Sequence, residues 1–387
     1  MSDPEHRDPE RRRSPLHEVH AAAGATFTEF AGWSMPLKYG SELAEHAAVR
    51  SAAGLFDLSH MGEIVVLGPE AADALDAALL GEASAMETGR AKYTLMLNAE
   101  GGVVDDLVLY RTGPDRFLVV ANAANRELVA SELRSRAIGF QAEVQDESDD
   151  IGLIALQGPR SLEVMTEVGG FSADQDERTE QRFVELITGL RNYRFLAAWY
   201  LGHPVLVART GYTGEIGYEL YVAPGLLPEL WNALLETGRG SGVLPVGLAA
   251  RDTLRLEAGM PLYGNELTAL TRPQQAGLGR LVRPEKSADY VGRRSVESFD
   301  PAGHRILVGL VSEGRRAGRH GYAVRAGDDV VGEVTSGALS PSLGHPIAMA
   351  YIDPDAISRD LAIDVRGTAL PARVVPLPFF TRPDRKA

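Results

Sequence analysis

Three glycines spaced three apart restrict what residues 210–219 can become. In TGYTGEIGYE, Gly211, Gly214 and Gly217 lie between the strand-like runs VLVAR and LYVA. Glycine at that spacing lets the backbone turn sharply or lie close against a ligand. Tyr212 and Tyr218 add flat surfaces and Glu219 a carboxylate, so the segment reads either as a tight hairpin or as a seat for a flat heterocycle. The rest of the chain bears on that choice.

At 387 residues, 44% of them apolar, the chain has material for two or three domains with ample core. Its 39 Lys and Arg stand against 53 Asp and Glu, a formal net charge of -14, so neither nucleic acid nor an anionic membrane is expected as a partner. There is no cysteine, which excludes disulfides, thiol nucleophiles, thiolate-held iron–sulfur clusters and cysteine-rich zinc sites. The nine histidines show no metal-like spacing, and no metal is expected. Chemistry therefore rests on oxygen, nitrogen or a cofactor. The first twenty residues lack the apolar core of a secretory signal, and no apolar run approaches the length that spans a bilayer. A cytoplasmic location is expected, with residues 1–14 as a disordered tail.

Apolar spacing predicts helices over 41–50, 71–80 and 126–136. Strands are predicted over 92–97, 103–110 and 117–121, the first two joined by the turn NAEGG at 98–102. FDLSHMGEIVVLG runs into a further strand, and the acidic stretch QDESDD at 145–150 marks a boundary, so residues 50–147 read as an inserted α+β unit. Beyond it, 151–159 reads as a buried strand, 161–168 as a helix, 169–182 as a polar loop, and 193–200 and 205–210 as strands. Helices follow over 227–235 and 248–258, the second stopped by Gly259. From about Arg305, short strands alternate with Gly and Pro, the texture of a small all-β barrel or sandwich. The fold class is α+β.

No phosphate-binding GxxxxGK[ST] loop and no GxGxxG after a strand occurs. His60, three residues after Asp57, reads as a structural histidine satisfied by a neighbouring carboxylate rather than as half of an acid–base pair. In the acidic pair Asp105–Asp106, strand alternation sends the two carboxylates to opposite faces, so one alone can serve a given cavity, and alternation does not choose between them. The bland alternative leaves one at the surface and the other satisfying the NAEGG turn. On the helix GLAARDTLRLEAG, Arg251 and Arg255 lie one turn apart, with Asp252 and Glu257 near enough to partner either. An arginine fork suits a carboxylate or carbonyl, although an ion-pair network explains such a helix equally well.

FAGWSMPLKYG (30–40), GLFDLSHMGE (54–63), NAEGGVVDDLVLY (98–110), LQGP (156–159), TGYTGEIGYE (210–219), GLAARDTLRLEAGMPLYG (247–264) and VTSGALSPSLGHPIAMAYI (334–352) together resemble the aminomethyltransferase, or T-protein, family of the glycine cleavage system. The resemblance keeps the same order from about Pro15 to Phe380. It implies a three-domain clover-leaf around a funnel that holds tetrahydrofolate. Residues 15–49 with 148–280 would form a discontinuous α+β folate-binding domain, 50–147 an inserted α+β domain carrying the catalytic aspartate, and 300–387 a C-terminal β-barrel. By the same resemblance Asp106 is the catalytic carboxylate and Glu219 and Arg251 bind folate. Tyr93, Asn122 and Tyr212 fall where family members line the pocket, and Arg385 is a candidate from the variable C-terminal tail.

The family's reaction takes an aminomethyl group from the lipoyl arm of H-protein, releases ammonia, and passes the carbon to tetrahydrofolate as methylene-tetrahydrofolate. Two other readings share the scaffold: a different folate-dependent demethylase or oxidase domain, and a folate-binding accessory protein of iron–sulfur assembly. The accessory relatives carry a cysteine in their signature, which this chain lacks.

Overall fold

The computed structural model describes residues 11–175 and 180–382. Alternating side chains build two β-sheets that pack face to face. In the strand Gly62–Leu67, Ile64 and Val66 enter one core while Val65 enters another. In Gly152–Gln157, Leu153 and Ala155 join Val65 while Ile154 and Leu156 turn to the opposite side. The shared core between the sheets includes Phe56, Val120, Leu153 and Tyr221, drawn from both.

One sheet is five-stranded and antiparallel, in the order Ala91–Leu97, Val103–Gly113, Arg116–Ala121, Gly62–Leu67, Glu143–Asp146. The helices Ala71–Ala78 and Arg126–Arg136 cover its outer face through Leu75, Val129 and Leu133. The other sheet is seven-stranded, in the order Phe171–Ser172, Phe195–Tyr200, His203–Ala208, Gly217–Val222, Gly152–Gln157, Gly54–Asp57, Leu244–Pro245. Its outer face is covered by Ser161–Glu167, Gln181–Gly189 and Leu227–Gly238, through Val164, Phe183 and Trp231. The result is four layers, helix–sheet–sheet–helix, with the inter-sheet space at the centre. Six strands from Ile306–Ser312 to Thr368–Val375 close into the C-terminal barrel.

The structure departs from the sequence reading in four places. The strand Gly54–Asp57 pairs with Gly152–Gln157, so it belongs to the seven-stranded sheet and the five-stranded one starts at Gly62 rather than near residue 50. FDLSHMGEIVVLG is thus two strands with a turn between them. The end of the expected tail over 1–14 is ordered: Arg12–Arg13 pairs in parallel with Trp33 and Ser34, and the buried Ser14 hydroxyl donates to Asp57. Residues 1–10 lie outside the described residues. The expected loop over 169–182 contains the strand Phe171–Ser172 and runs into a helix, Gln181–Gly189, which buries Phe183 and Ile187 one turn apart.

A buried carboxylate joins the barrel to the sheets. Glu257, at the end of the helix Leu248–Glu257, accepts from Arg50 Nη2 at 2.7 Å and from the Ser342 hydroxyl at 2.7 Å and backbone N–H at 3.0 Å. Ser340 donates to Oε1, the oxygen that takes the Ser342 N–H, and His46 Nε2 lies 3.2 Å from Oε2. Arg50 also donates to Thr213 O and to Glu215 in the glycine-rich segment, and its guanidinium lies 4.3 Å from the Phe380 ring centre. Burial alone would raise the Glu257 pKa; the His46 and Ser340 bonds and the Arg50 charge reverse that and lower it to about 2.

Because this folded pKa lies below the ordinary 4.5, the stabilisation is whole above that pH and is lost as pH falls through about 2. Glu257→Gln is expected to cost about 3 kcal/mol, since it removes the buried carboxylate that Arg50 and His46 share and leaves Arg50 with Glu215 as its charged partner. It should also flatten the acid dependence below pH 4.5. Denaturant unfolding of both proteins across that range checks this, and equal midpoints would remove Glu257 as the joint.

Candidate active site

The inner faces of the two sheets decide which side chains meet. On Val103–Gly113, Leu107 and Leu109 pack outward under the helices, whereas Val108 and Tyr110 pack into the inter-sheet core. Asp106 shares the inner face with Val108 and Tyr110. On Gly217–Val222, Glu219 lies opposite Ala155 and Ala208, both inter-sheet residues, so it too points inward. Both carboxylates line one cavity of about 410 Å³, with Tyr93, Asn122, Tyr212 and Arg251. Residues of the segment 258–263 and Leu278 complete the wall. Five residues identified from sequence are therefore brought together with Asp106. Arg385 lies outside the described residues.

Asp106 is held by neutral donors. Tyr93 Oη donates to Oδ2 at 3.0 Å and Asn122 Nδ2 to Oδ1 at 2.9 Å. Burial pushes its pKa up to about 6 against those two bonds. Asp105 is fully buried and touches the same amide from the other side: Asn122 gives it Nδ2 at 2.8 Å and its backbone N–H at 3.0 Å, and Asn125 Nδ2 adds 2.7 Å. Burial, and then the neighbouring Asp106 charge, push Asp105 up to about 7. Neither aspartate is a surface residue, and the NAEGG turn is satisfied by Asn98, whose side chain accepts from Gly102 N.

Glu219 is anchored through one oxygen. Thr210 and Tyr110 donate to Oε2, and Tyr221 Oη donates to Tyr110 Oη at 3.1 Å behind them. Glu219 lines the cavity, and Oε1 is the oxygen not taken by Thr210 and Tyr110. Burial raises the Glu219 pKa; the Thr210 bond and the Arg251 charge oppose the rise. Thr210, Tyr110 and Tyr221 were not singled out from the sequence. The signal was there for Tyr221, two residues after Glu219 on the same strand face.

The glycines around Glu219 answer to a side chain. Gln157, of LQGP, donates to Thr210 O at 3.1 Å and accepts from the Thr213 hydroxyl at 3.0 Å. A Cβ on Gly211 would lie 1.9 Å from its Oε1, and one on Gly217 2.3 Å from its Nε2. The close approach expected for a ligand is thus made, at these two positions, by the Gln157 amide. Gly214 has φ +77, which is the sharp turn expected of the segment.

The two arginines of the helix Leu248–Glu257 part company. Arg255 is buried and pairs with Asp252 at 2.7 Å and Glu266 at 2.9 Å. Arg251 lies in the cavity wall with its guanidinium 4.7 Å from the Tyr212 ring centre, and no carboxylate among the described residues forms an ion pair with it. Glu257 partners neither, being taken by Arg50 and His46. His60 also departs from expectation. Asp57 bonds His20 Nε2 at 2.9 Å and accepts from Ser14, so it does not satisfy His60, which lies in the cavity wall instead.

Residues 16–286 match the family model described as the GCVT N-terminal domain, and 305–381 match that of the glycine cleavage T-protein C-terminal barrel domain. The aminomethyltransferase of Cutibacterium acnes is 53% identical over 376 residues, covering 96% of this chain and 99% of its own. That of Streptomyces coelicolor is 50% identical over 380 residues, with 96% and 98% covered. Among solved structures, the glycine cleavage system aminomethyltransferase T from Bartonella henselae matches with a TM-score of 0.84 at 36% identity, covering 95% of this chain and 98% of that one.

The Gln157 slot gives a direct test of what holds Glu219 in place. Gly217→Ala forces a methyl group onto an amide that is bonded on both sides. It is expected to cost about 2 kcal/mol, the scale of overpacking in a filled interior. Denaturant unfolding measures it, and a change within about 0.5 kcal/mol would mean that Gln157 moves aside freely.

Proposed function

The chain belongs to the aminomethyltransferase family, the T-proteins of the glycine cleavage system, and we propose that its inter-sheet cavity receives tetrahydrofolate and that Asp106 serves the transfer there. Enzymes of this family are tetrahydrofolate-dependent transferases. The aminomethyl group arrives on the dihydrolipoyl arm of H-protein, which is the partner in this reading, with the cytoplasm as the compartment. The carbon passes to two nitrogens of tetrahydrofolate. Their two protons leave with ammonia and with the freed thiol, so the reaction balances without an oxidant.

The observation that carries the reading is the setting of Asp106. It is a carboxylate on the cavity wall, held by Tyr93 and Asn122 and raised to about 6. A group with that pKa is ionised at neutral pH yet basic enough to take a proton. Asp106 accepts the proton of the attacking folate nitrogen and opposes the positive charge that builds as the carbon–sulfur bond breaks. Its two neutral donors fix its direction without cancelling its charge.

The remaining donors fit a reduced pterin. Glu219 offers Oε1 to the adjacent N–H groups of the aminopyrimidinone edge, a charge-assisted contact. Tyr212 presents a ring face already covered on one side by Arg251, and Arg251 keeps its N–H donors for a carbonyl or carboxylate of the folate. Enclosure between two sheets excludes bulk water from the reacting groups and holds the two substrates together.

Asp106→Asn is expected to keep folate affinity while lowering turnover about 100-fold or more. With the native residue, kcat/KM should fall as pH drops through about 6, because the raised carboxyl is then protonated. That acid limb should vanish in the variant. A single-turnover assay following ammonia and methylene-tetrahydrofolate checks both, and near-normal turnover by the variant would remove Asp106 from the mechanism. Glu219→Ala should weaken folate binding about 10-fold or more by equilibrium titration, and unchanged affinity would reject its assignment.

A further inference from the structure

One side chain in the cavity wall is left over by both the folding and the transfer. His60 is 2% exposed and neither ring nitrogen bonds a described residue, with Nδ1 sealed from solvent. The aspartate three residues before it is committed to His20 and Ser14. The Phe30 ring stands edge-on at 5.5 Å, and Leu58, Met61 and Arg251 share the same wall. Burying an imidazole without a partner is unfavourable, and isosteric apolar residues would avoid that cost.

The surroundings fix the form of the ring. Burial lowers its pKa to about 4, and the Arg251 charge adds to the effect against a smaller opposing pull from Asp57, so the imidazole is neutral at physiological pH. An unpaired buried N–H is harder to tolerate than an unpaired lone pair. The sealed Nδ1 is therefore the bare nitrogen, and the proton sits on Nε2, which is not among the sealed polar atoms.

We propose that His60 is a ligand-binding residue of this cavity, a neutral imidazole that donates its Nε2–H to an oxygen of the bound folate. The inference rests on the folate reading above and adds a contact to it. A neutral donor beside Arg251 supplies direction where the arginine supplies charge, so the pair can grip one oxygen-bearing part of the ligand without a further buried charge at His60. His60 touches substrate in this arrangement and needs no titration to work.

The test compares the full chain with His60→Leu and His60→Gln by isothermal titration with 5-formyl-tetrahydrofolate and by melting with and without that ligand. His60→Leu should weaken binding about 5- to 10-fold, the scale of one lost hydrogen bond. Its ligand-free melting temperature should hold or rise, because an unpartnered polar group has been removed. His60→Gln, which keeps an N–H donor at a similar reach, should recover most of the affinity. Binding by His60→Leu within twofold of the unsubstituted protein would overturn the proposal. So would a fall of several degrees in ligand-free melting shared by both variants, which would mark the ring as a packing element. No binding by the unsubstituted protein would instead overturn the folate reading, and the role of His60 with it.

Discussion

Everything the cavity does depends on a buried carboxylate that is not in it. Glu257 gathers Arg50 and His46 from one helix and Ser340 and Ser342 from the barrel, and through Arg50 it reaches Thr213 and Glu215 in the segment that carries Glu219. Desolvating such a charge is expensive, and the cost is offset only when every donor is in place. A joint with that property tolerates little slippage. It fixes the barrel, the helix carrying Arg251 and the segment carrying Glu219 in one arrangement.

Two buried carboxylates in this protein move in opposite directions for one reason. Both Glu257 and Asp106 lose hydration, which favours the protonated form. Around Glu257 the His46 and Ser340 bonds, with the Arg50 charge added to them, outweigh that loss, so the charged form wins and the pKa falls. Around Asp106 they are a phenol and an amide, which orient the carboxylate but cannot repay the lost water in full. The first group is thereby a fixed charge suited to holding parts together, and the second a proton acceptor poised near neutrality.

Period-two alternation put Asp105 and Asp106 on opposite faces without choosing between them, and the apolar neighbours Leu107 and Leu109 against Val108 and Tyr110 bear out that placement. The α+β class and the closed barrel were legible from strand and helix spacing together with family resemblance. Partners were not. Glu257 sits two residues from Arg255 yet binds Arg50, and Asp57 sits three residues from His60 yet binds His20 and Ser14. In each case a local pairing permitted by spacing lost to one set by packing between distant segments, which spacing cannot register. The same cause hid the ordered end of the N-terminal segment, since Ser14 is held in place by Asp57.

The Gln157 amide seated between Gly211 and Gly217 has a consequence for how the chain can change over generations. A shorter residue at 157 would leave Thr210 and Thr213 without their partner, while any side chain at 211 or 217 would collide with the amide. Neither change repairs the other unless they occur together. The three positions form a single heritable unit, and each one-step mutational route through this corner of the protein carries a cost in stability even though none of the three need touch the reacting atoms.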